Sequence, residues 1–370
     1  MSNKFMIASA LLAAALWGNA SAASYPGNTN FRNREVTYLA KTRTDWITNV
    51  TTIAAGAARN PGVSTPINWI KAQTITNGID YIPAVLTPAG GWPNTLVCHM
   101  VRVNLANRNI RFTGTERCEG WGEDMPDDPK HQCKQADGTF LKKRTVREKT
   151  GDFLARLRGP KSLGGRELNA VLAWNNAAWT PWKPPYTNEW GSPNGPLYSD
   201  GIQISEIATG YGTHGNPKAP SNGIQNGVFV VNKDGKADIV PQLTPALAKK
   251  TWFSAPVFVW RLVSAGKAPQ HIDKSFRPRT AIGLSKDKKK FYILVCDGDN
   301  EKDWSKGCDF PTLSTLLVAM GCHDAFNLDG GGSSNICVWD YENNRPAVLN
   351  RPGGNYNQRD NGSNAAIYFK

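Results

Sequence analysis

The chain has 370 residues, 40% of them hydrophobic and 10% aromatic, enough to bury a substantial core in one elaborated domain or two small ones. Its formal net charge of +13 suits acidic partners such as phosphate-bearing polymers, nucleic acid or anionic lipid. The basic residues are spread out, the clusters Lys142-Lys143-Arg144 and Lys286 to Lys290 read as solvated turns, and no nucleic-acid-binding motif accompanies them, so a nucleic-acid partner is not expected.

Met1 to Ala22 has the layout of a secretory signal. Lys4 supplies the positive end, Met6 to Trp17 is apolar, and Ala20-Ser21-Ala22 is a small-residue cleavage site. The apolar stretch falls short of the roughly 20 residues a spanning helix needs. No later segment is longer and as apolar, so no transmembrane anchor is expected. The expectation is an exported chain, periplasmic or secreted, that begins near Ala23. Loss of Lys4 with the signal takes the charge from +13 to +12.

Seven cysteines follow. An oxidising compartment allows disulfides, and Cys118–Cys133, Cys296–Cys308 and Cys322–Cys337 are candidate pairs with at least one thiol left over. No CxxC or His/Cys ligand spacing appears, so neither a metal nor another cofactor is expected.

Residues 23–77 differ in composition from the rest. They are expected to form an N-terminal arm or small helical cap, with a short helix over Asp45 to Ala58. From Gly78 the pattern turns to strands: Tyr81 to Val85, Val97 to Leu105 and Ile110 to Phe112. Gly114 to Lys143 is polar, bracketed by cysteines, and reads as an insertion. Thr150 is placed to cap a helix to about Leu157, which Gly159-Pro160 stops. Ala170 to Trp174 reads as a buried strand ending in Asn175-Asn176. An aromatic, proline-rich stretch from Trp179 to Trp190 follows; it suits either sugar stacking or a loop pinned by its own aromatics. Asp200 precedes a strand over Gly201 to Ile207. Gly227 to Val231 and Asp238 to Val240 flank the turn Asn232-Lys233-Asp234-Gly235, a hairpin signal. Pro256 to Val263 is a further strand.

Chemistry concentrates after residue 278. Arg279-Thr280-Ala281-Ile282-Gly283-Leu284 is a strand opening with arginine. The strand Phe291 to Cys296 runs into Asp297-Gly298. Pro311 to Met320 has a helical pattern, with Asp309 favouring its start and Gly321 ending it. A strand from Cys322 to Phe326 then delivers Asn327-Leu328-Asp329-Gly330-Gly331-Gly332-Ser333-Ser334, and another strand leaves over Asn335 to Trp339. Three successive glycines sacrifice backbone entropy and packing, which a fold retains where the backbone turns sharply or admits a ligand. Their N–H groups can form an anion-binding concavity. Two strands thus end in Asp-Gly, and if they run in the same direction both carboxylates reach one rim. Such a pair can share acid/base or nucleophile work at a sugar carbon. Arg279 offers a planar, permanently charged fork for a phosphate oxygen. The five histidines suggest neither a triad nor a metal site; His323 reads as structural, and His214 lies in a glycine-rich loop beside the expected cleft. No nucleophile elbow is present.

Arg279-Thr280-Ala281-Ile282-Gly283, Asp297-Gly298 and Asn327 to Ser334, in that order and spacing, resemble the phosphodiester glycosidase family. Asn175, Ser199-Asp200 and Asn226-Gly227-Val228-Phe229 with Lys233-Asp234-Gly235 extend the resemblance upstream, so that it spans about Gly78 to Lys370. Asn176, Ala177 and Ala178 depart from the family's glycines and aromatic at these positions, which bears on the sugar recognised. The resemblance implies an α+β fold with a mixed β-sheet core, a few packed helices and one catalytic domain over 78–370. It implies hydrolysis of a sugar-1-phosphodiester, of the N-acetylglucosamine-1-phosphate type, in a surface or extracellular glycan, glycolipid or polymer. Asp329, Asp297 and Arg279 are the expected catalytic residues. Asn175, Asp200, Asn327, Gly330, Gly331, Gly332, Ser333 and Ser334 are the expected substrate contacts. The rival reading is a binding protein that holds a phosphate-bearing envelope glycan without cutting it.

Overall fold

The computed structural model describes residues 37–38, 67 and 69–370, apart from 89–91, 128–129, 131–132, 136, 182–187, 207–226, 257–260, 270–273, 299–303 and 353–356. The signal-like segment, the helix expected over Asp45 to Ala58, His214, Asn226 and the whole Trp182 to Tyr186 stretch lie outside the described residues. In chain order the strands are β1 (Thr37–Tyr38), β2 (Gln73–Thr76), β3 (Ile79–Leu86), β4 (Leu96–Asn104), β5 (Ile110–Gly114), β6 (Thr145–Val146), β7 (Asn169–Asn175), β8 (Trp179–Thr180), β9 (Trp190–Pro193), β10 (Tyr198–Ser199), β11 (Ile202–Gln203), β12 (Val228–Asn232), β13 (Ala237–Val240), β14 (Thr251–Pro256), β15 (Arg261–Val263), β16 (Arg279–Leu284), β17 (Lys290–Cys296), β18 (Asp324–Asn327), β19 (Ile336–Asp340), β20 (Arg345–Val348) and β21 (Asn364–Phe369). The α-helices among the described residues are α1 (Thr150–Arg158), α2 (Pro245–Ala248) and α3 (Phe310–Met320).

Two sheets carry the fold. A seven-stranded sheet runs β15-β18-β16-β17-β4-β3-β2, and a six-stranded sheet runs β1-β20-β19-β7-β21-β5. Side chains alternate across a strand, so each strand feeds two layers. On β17, Phe291, Ile293 and Val295 enter the core between the sheets, whereas Tyr292, Leu294 and Cys296 face the layer that contains α3. On β21, Ala365 and Ile367 point to the same central core, and Ala366 faces α1 with Phe153, Leu154 and Leu157. The order of layers is helix, sheet, sheet, helix. This is the expected α+β architecture with a mostly β core.

Phe291 sits at the centre of the inter-sheet core. Its ring centroid lies 4.8 Å from Phe229, 5.2 Å from Phe112 and 5.8 Å from Trp174. Helix α3 starts and stops as its sequence predicts: the Thr312 amide donates to Asp309 Oδ1 at 2.9 Å, and Gly321 ends the helix at φ 103°. Helix α1 differs. Its N-cap is Lys149, without a side-chain cap, and Thr150 lies inside the helix with its hydroxyl donating to Asn364 Oδ1 at 2.8 Å. A buried asparagine on β21 thus claims the hydroxyl that the local pattern assigned to capping. The hairpin β12–β13 forms around Gly235 as expected.

The expected disulfides are not formed, and all seven cysteines are buried thiols. Cys322 lies in the layer under α3 and Cys337 in the layer under α1, on opposite outer faces of the sandwich. Cys133 accepts from Asn188 Nδ2 at 3.6 Å rather than bonding Cys118. Cys296 lies between two thiols, Cys98 across the β17–β4 ladder with their Sγ atoms 3.6 Å apart and Cys308, and it forms a disulfide with neither.

Replacing Phe291 by alanine removes the ring that three other aromatics touch. The expected cost is about 3–5 kcal/mol, read as a lower urea midpoint at unchanged m-value.

Candidate active site

The register of three neighbouring strands assembles the site. Strand β16 is antiparallel to both β17 and β18, so the latter two run in the same direction on either side of it. Arg279 pairs with Cys296, Ala281 pairs with Asn327, and the Leu328 amide donates to Thr280 O at 2.8 Å. Asp297 and Asp329 therefore leave the same end of the sheet, with the start of β16 and Arg279 between them. Gly298 has to be small here, because an added Cβ would lie 2.6 Å from Gly307 Cα.

The two aspartates have opposite surroundings. Asp297 is 1% exposed and both its oxygens are occupied. Oδ2 accepts from Trp304 Nε1 at 2.9 Å and lies 3.2 Å from His99 Nε2; Oδ1 accepts from the Arg351 amide at 3.0 Å and Asn350 Nδ2 at 3.2 Å. Tyr81 OH lies 3.2 Å from the other His99 ring nitrogen. Burial alone would raise the Asp297 pKa. The His99 ring, Trp304 and the Arg351 amide reverse that and hold the carboxyl below its usual range.

Asp329 is half-buried and its side chain accepts one hydrogen bond among those described, from the Gly330 amide at 3.0 Å. Burial pushes its carboxyl up to about 6, opposed by Ser333, the Gly330 amide and the positive charge of Arg359. The Ser333 hydroxyl lies near the carboxyl, short of good hydrogen-bond geometry. The backbone of Asp329 is held firmly: its carbonyl accepts from Asn175 Nδ2 at 2.8 Å, and its amide donates to Asn176 O at 3.1 Å.

Asn175 is fully buried on the other sheet, and its Oδ1 accepts from Thr280 Oγ1 at 2.7 Å and the Asn335 amide at 2.9 Å. It clamps both ends of the glycine loop. Asn327 is buried and its amide donates to Leu328 O at 3.2 Å. The Arg279 guanidinium donates to Cys308 O, Ser275 O and Ser275 Oγ and stacks 4.1 Å from the Phe310 ring. An added Cβ at Gly330 would lie 3.9 Å from Arg279 Cδ, so the arginine runs along the loop. Asp200 stands apart from these groups. It occupies φ 52° and accepts from Arg166 Nη2 and Thr113 Oγ1, at the β5 side of the other sheet.

Thirteen buried side-chain polar atoms among the described residues have no hydrogen-bond partner, and seven belong to Asn176, Ser333, Ser334, Arg351, Asn361 and Ser363. These residues are linked around the loop: the Asn176 amide donates to Ser363 O, and Asn361 Nδ2 approaches Ser333 O at 3.4 Å. Left without a partner each such atom would cost about 1–3 kcal/mol, so the cluster at the loop is one that a polar ligand or water can satisfy. Among the described residues no group of three or more His, Cys, Asp or Glu side chains is arranged to hold a metal ion, and no helix is long and apolar enough to cross a membrane.

Sequence reasoning missed His99, Trp304, Asn350, Arg351, Arg359 and Asn361. His99 carried a weak signal, as the one imidazole in the otherwise apolar run Leu96-Val97-Cys98-His99-Met100-Val101. The C-terminal residues had none, because only the pairing of β20 and β21 into the six-stranded sheet brings their loop to the site.

The family model of the phosphodiester glycosidases matches residues 183–368, half of the chain. The chain belongs to the phosphodiester glycosidase family. Among solved structures it is similar to the catalytic domain of zebrafish N-acetylglucosamine-1-phosphodiester alpha-N-acetylglucosaminidase, auto-inhibited by its pro-peptide. The identity is 16%, the match covers 79% of this chain and 83% of that one, and the TM-score is 0.50, a likeness of fold. A hypothetical protein from Synechocystis is 11% identical over 81% of this chain and 63% of that one, at a TM-score of 0.46. A Burkholderia pseudomallei protein described as exported is 13% identical over 75% of each chain, at a TM-score of 0.40. No curated protein matches the chain.

The two aspartates are expected to respond oppositely to amide substitution. Asp329 binds its proton more tightly folded, near 6, than at its ordinary 3.8. It therefore lowers stability as pH rises through that window, by about 3 kcal/mol once both states are ionised. Asp329→Asn is expected to raise the urea midpoint at pH 7.5 and to leave it near wild type at pH 4. Asp297 is stabilising when ionised, and that contribution fades as pH falls below its ordinary 3.8 toward its depressed folded value. Asp297→Asn breaks a fully buried pair with His99 and should cost about 3–5 kcal/mol near neutral pH.

Proposed function

We propose that the chain hydrolyses a glycosyl-1-phosphodiester, breaking the bond between the anomeric carbon and the phosphate oxygen. The observation that carries this reading is the Asp329 carboxyl: half-buried, pushed up to about 6, and set in a glycine loop between two arginines. A base is most useful when its pKa lies near the working pH. Ionised Asp329 takes a proton from water as the water oxygen bonds to the anomeric carbon. The electron pair of the broken carbon–oxygen bond leaves with a phosphate monoester. Free sugar and phosphate monoester are the products, and water supplies the oxygen. This leaving group is already an anion, so it needs stabilisation of charge more than a strong general acid.

In this reading Asp297 positions rather than reacts, because four donors already occupy its carboxylate. It holds Asn350 and Arg351, and Asn350 Nδ2 in turn donates to Ser334 O at 3.0 Å. Arg279 contributes positive potential along the loop. The signal-like N-terminus and the charge of +12 after its removal support export and attraction to a phosphate-rich surface or extracellular glycan. The zebrafish relative's name specifies an alpha-linked N-acetylglucosamine phosphodiester, which makes that sugar the first to test.

Wild type should release N-acetylglucosamine from a UDP-linked or chromogenic alpha-N-acetylglucosaminyl phosphodiester. Asp329→Asn should lower kcat by about 10²–10⁴-fold. The wild-type rate should fall on acidification with a midpoint near pH 6, as Asp329 takes up its proton. Equal turnover by both proteins would place the reacting carboxylate elsewhere. Tight binding of phosphodiester glycans with no turnover of any would favour the binding-protein reading.

A further inference from the structure

Arg359 lies against the middle of the glycine loop. A Cβ added at Gly332 would come within 2.5 Å of its Nη2, 2.9 Å of Cζ and 3.2 Å of Nε, so the guanidinium rests on the face of this residue. The contact explains why the third glycine is needed even though the turn is already made by Gly331, at φ 59°. The segment that carries Arg359 is held on both sides. Gln358 Oε1 accepts from the Gly151 amide at 2.9 Å and Asn335 Nδ2 at 2.7 Å; Asp360 O accepts from Arg147 Nε at 3.1 Å and Nη2 at 2.9 Å. The Asn361 amide donates to Glu148 O at 2.9 Å. The arginine is thus delivered by a fixed backbone while remaining half-buried.

The loop amides complete the picture. Gly330 donates to Asp329 Oδ1, Gly331 to Pro278 O, Ser333 to Gly330 O and Ser334 to Gly331 O. Among the described residues the Gly332 amide has no acceptor, and the Arg359 guanidinium rests on the same residue. Arg359 draws the Asp329 pKa down by its charge, without forming a direct ion pair with it. A planar cation on a held backbone and an N–H without an acceptor, both at Gly332 and next to the carboxylate, offer a cradle for a tetrahedral oxyanion.

We propose that Arg359, with the Gly332 amide, takes the non-bridging oxygens of the substrate phosphate and is the residue that selects phosphodiesters over ordinary glycosides. The assignment rests on the phosphodiester reading of the site. Arg279, whose guanidinium donates to the Ser275 and Cys308 carbonyls, adds positive charge at the Gly330 end of the loop.

The test uses the full chain and inorganic phosphate as the probe, with Arg359→Gln, Arg359→Lys and Gly332→Ala. The last displaces only the far end of a flexible side chain, so it guards against a variant that fails to fold. Phosphate should raise the wild-type melting temperature, and half-saturation should need at least tenfold more phosphate in Arg359→Gln and Gly332→Ala, with partial recovery in Arg359→Lys. On the phosphodiester substrate, Arg359→Gln should lose about 10²–10³-fold in kcat/KM. Its acid limb should move above pH 6, because the charge that depresses Asp329 is gone. Phosphate affinity and kcat/KM within twofold of wild type in both Arg359→Gln and Gly332→Ala would overturn the assignment, as would a wild type that shows no phosphate protection. Phosphate protection that depends on Arg359 in a wild type without turnover would retain the anion site and reject the hydrolytic reading.

Discussion

One buried amide joins the two sheets at the site. Asn175 ends a strand of the six-stranded sheet, and its side chain bonds Thr280 on the seven-stranded sheet, the Asp329 carbonyl and the Asn335 amide. A glycine loop has little packing of its own and would otherwise sample many conformations. With both its ends tied to the same side chain, the loop inherits the rigidity of the sandwich beneath it. The inter-sheet core around Phe291 and the strand register that aligns Thr280 with the loop serve that geometry. Loss of the amide would leave buried donors and acceptors unpaired on both sheets at once.

The two Asp-Gly turns show how environment gives two like carboxyls opposite proton affinities. Both aspartates end strands that run in the same direction, and both are largely removed from water. Around Asp297, four donors, one of them a histidine ring, replace the lost hydration, so the ionised form is favoured. Around Asp329 the compensation is sparse, so the proton is held longer. The first environment suits an anchor that organises His99, Trp304 and the Asn350–Arg351 backbone. The second suits a group that exchanges a proton during turnover.

Charge at the loop comes from distant parts of the chain. Arg279 reaches it from the neighbouring strand, and Arg359 from the segment before the last strand. Seven unpartnered buried polar atoms surround the same loop. A fold accepts that cost where a polar substrate is to be held. Asn176 carries two of those atoms, and its backbone carbonyl holds the Asp329 amide.

Much of the fold was legible locally. The Asp309 cap, the Gly321 stop, the Asp234-Gly235 hairpin and the alternating strands each depend on interactions within a few residues, so the amino-acid order determined them. It determined the glycine loop and the two strand-end aspartates as well, since glycine's backbone freedom and the strand period are local properties. Thr150 failed as a cap because a buried asparagine far along the chain competes for its hydroxyl. The expected disulfides failed because sequence spacing says nothing about which face of a sheet a thiol occupies. Tertiary structure alone decided that His99 meets Asp297, that Asp329 is left under-compensated and that Arg359 lies on Gly332. Those facts are set by burial and charge between segments that meet only after the sheets have paired, and no local pattern encodes which segments those are.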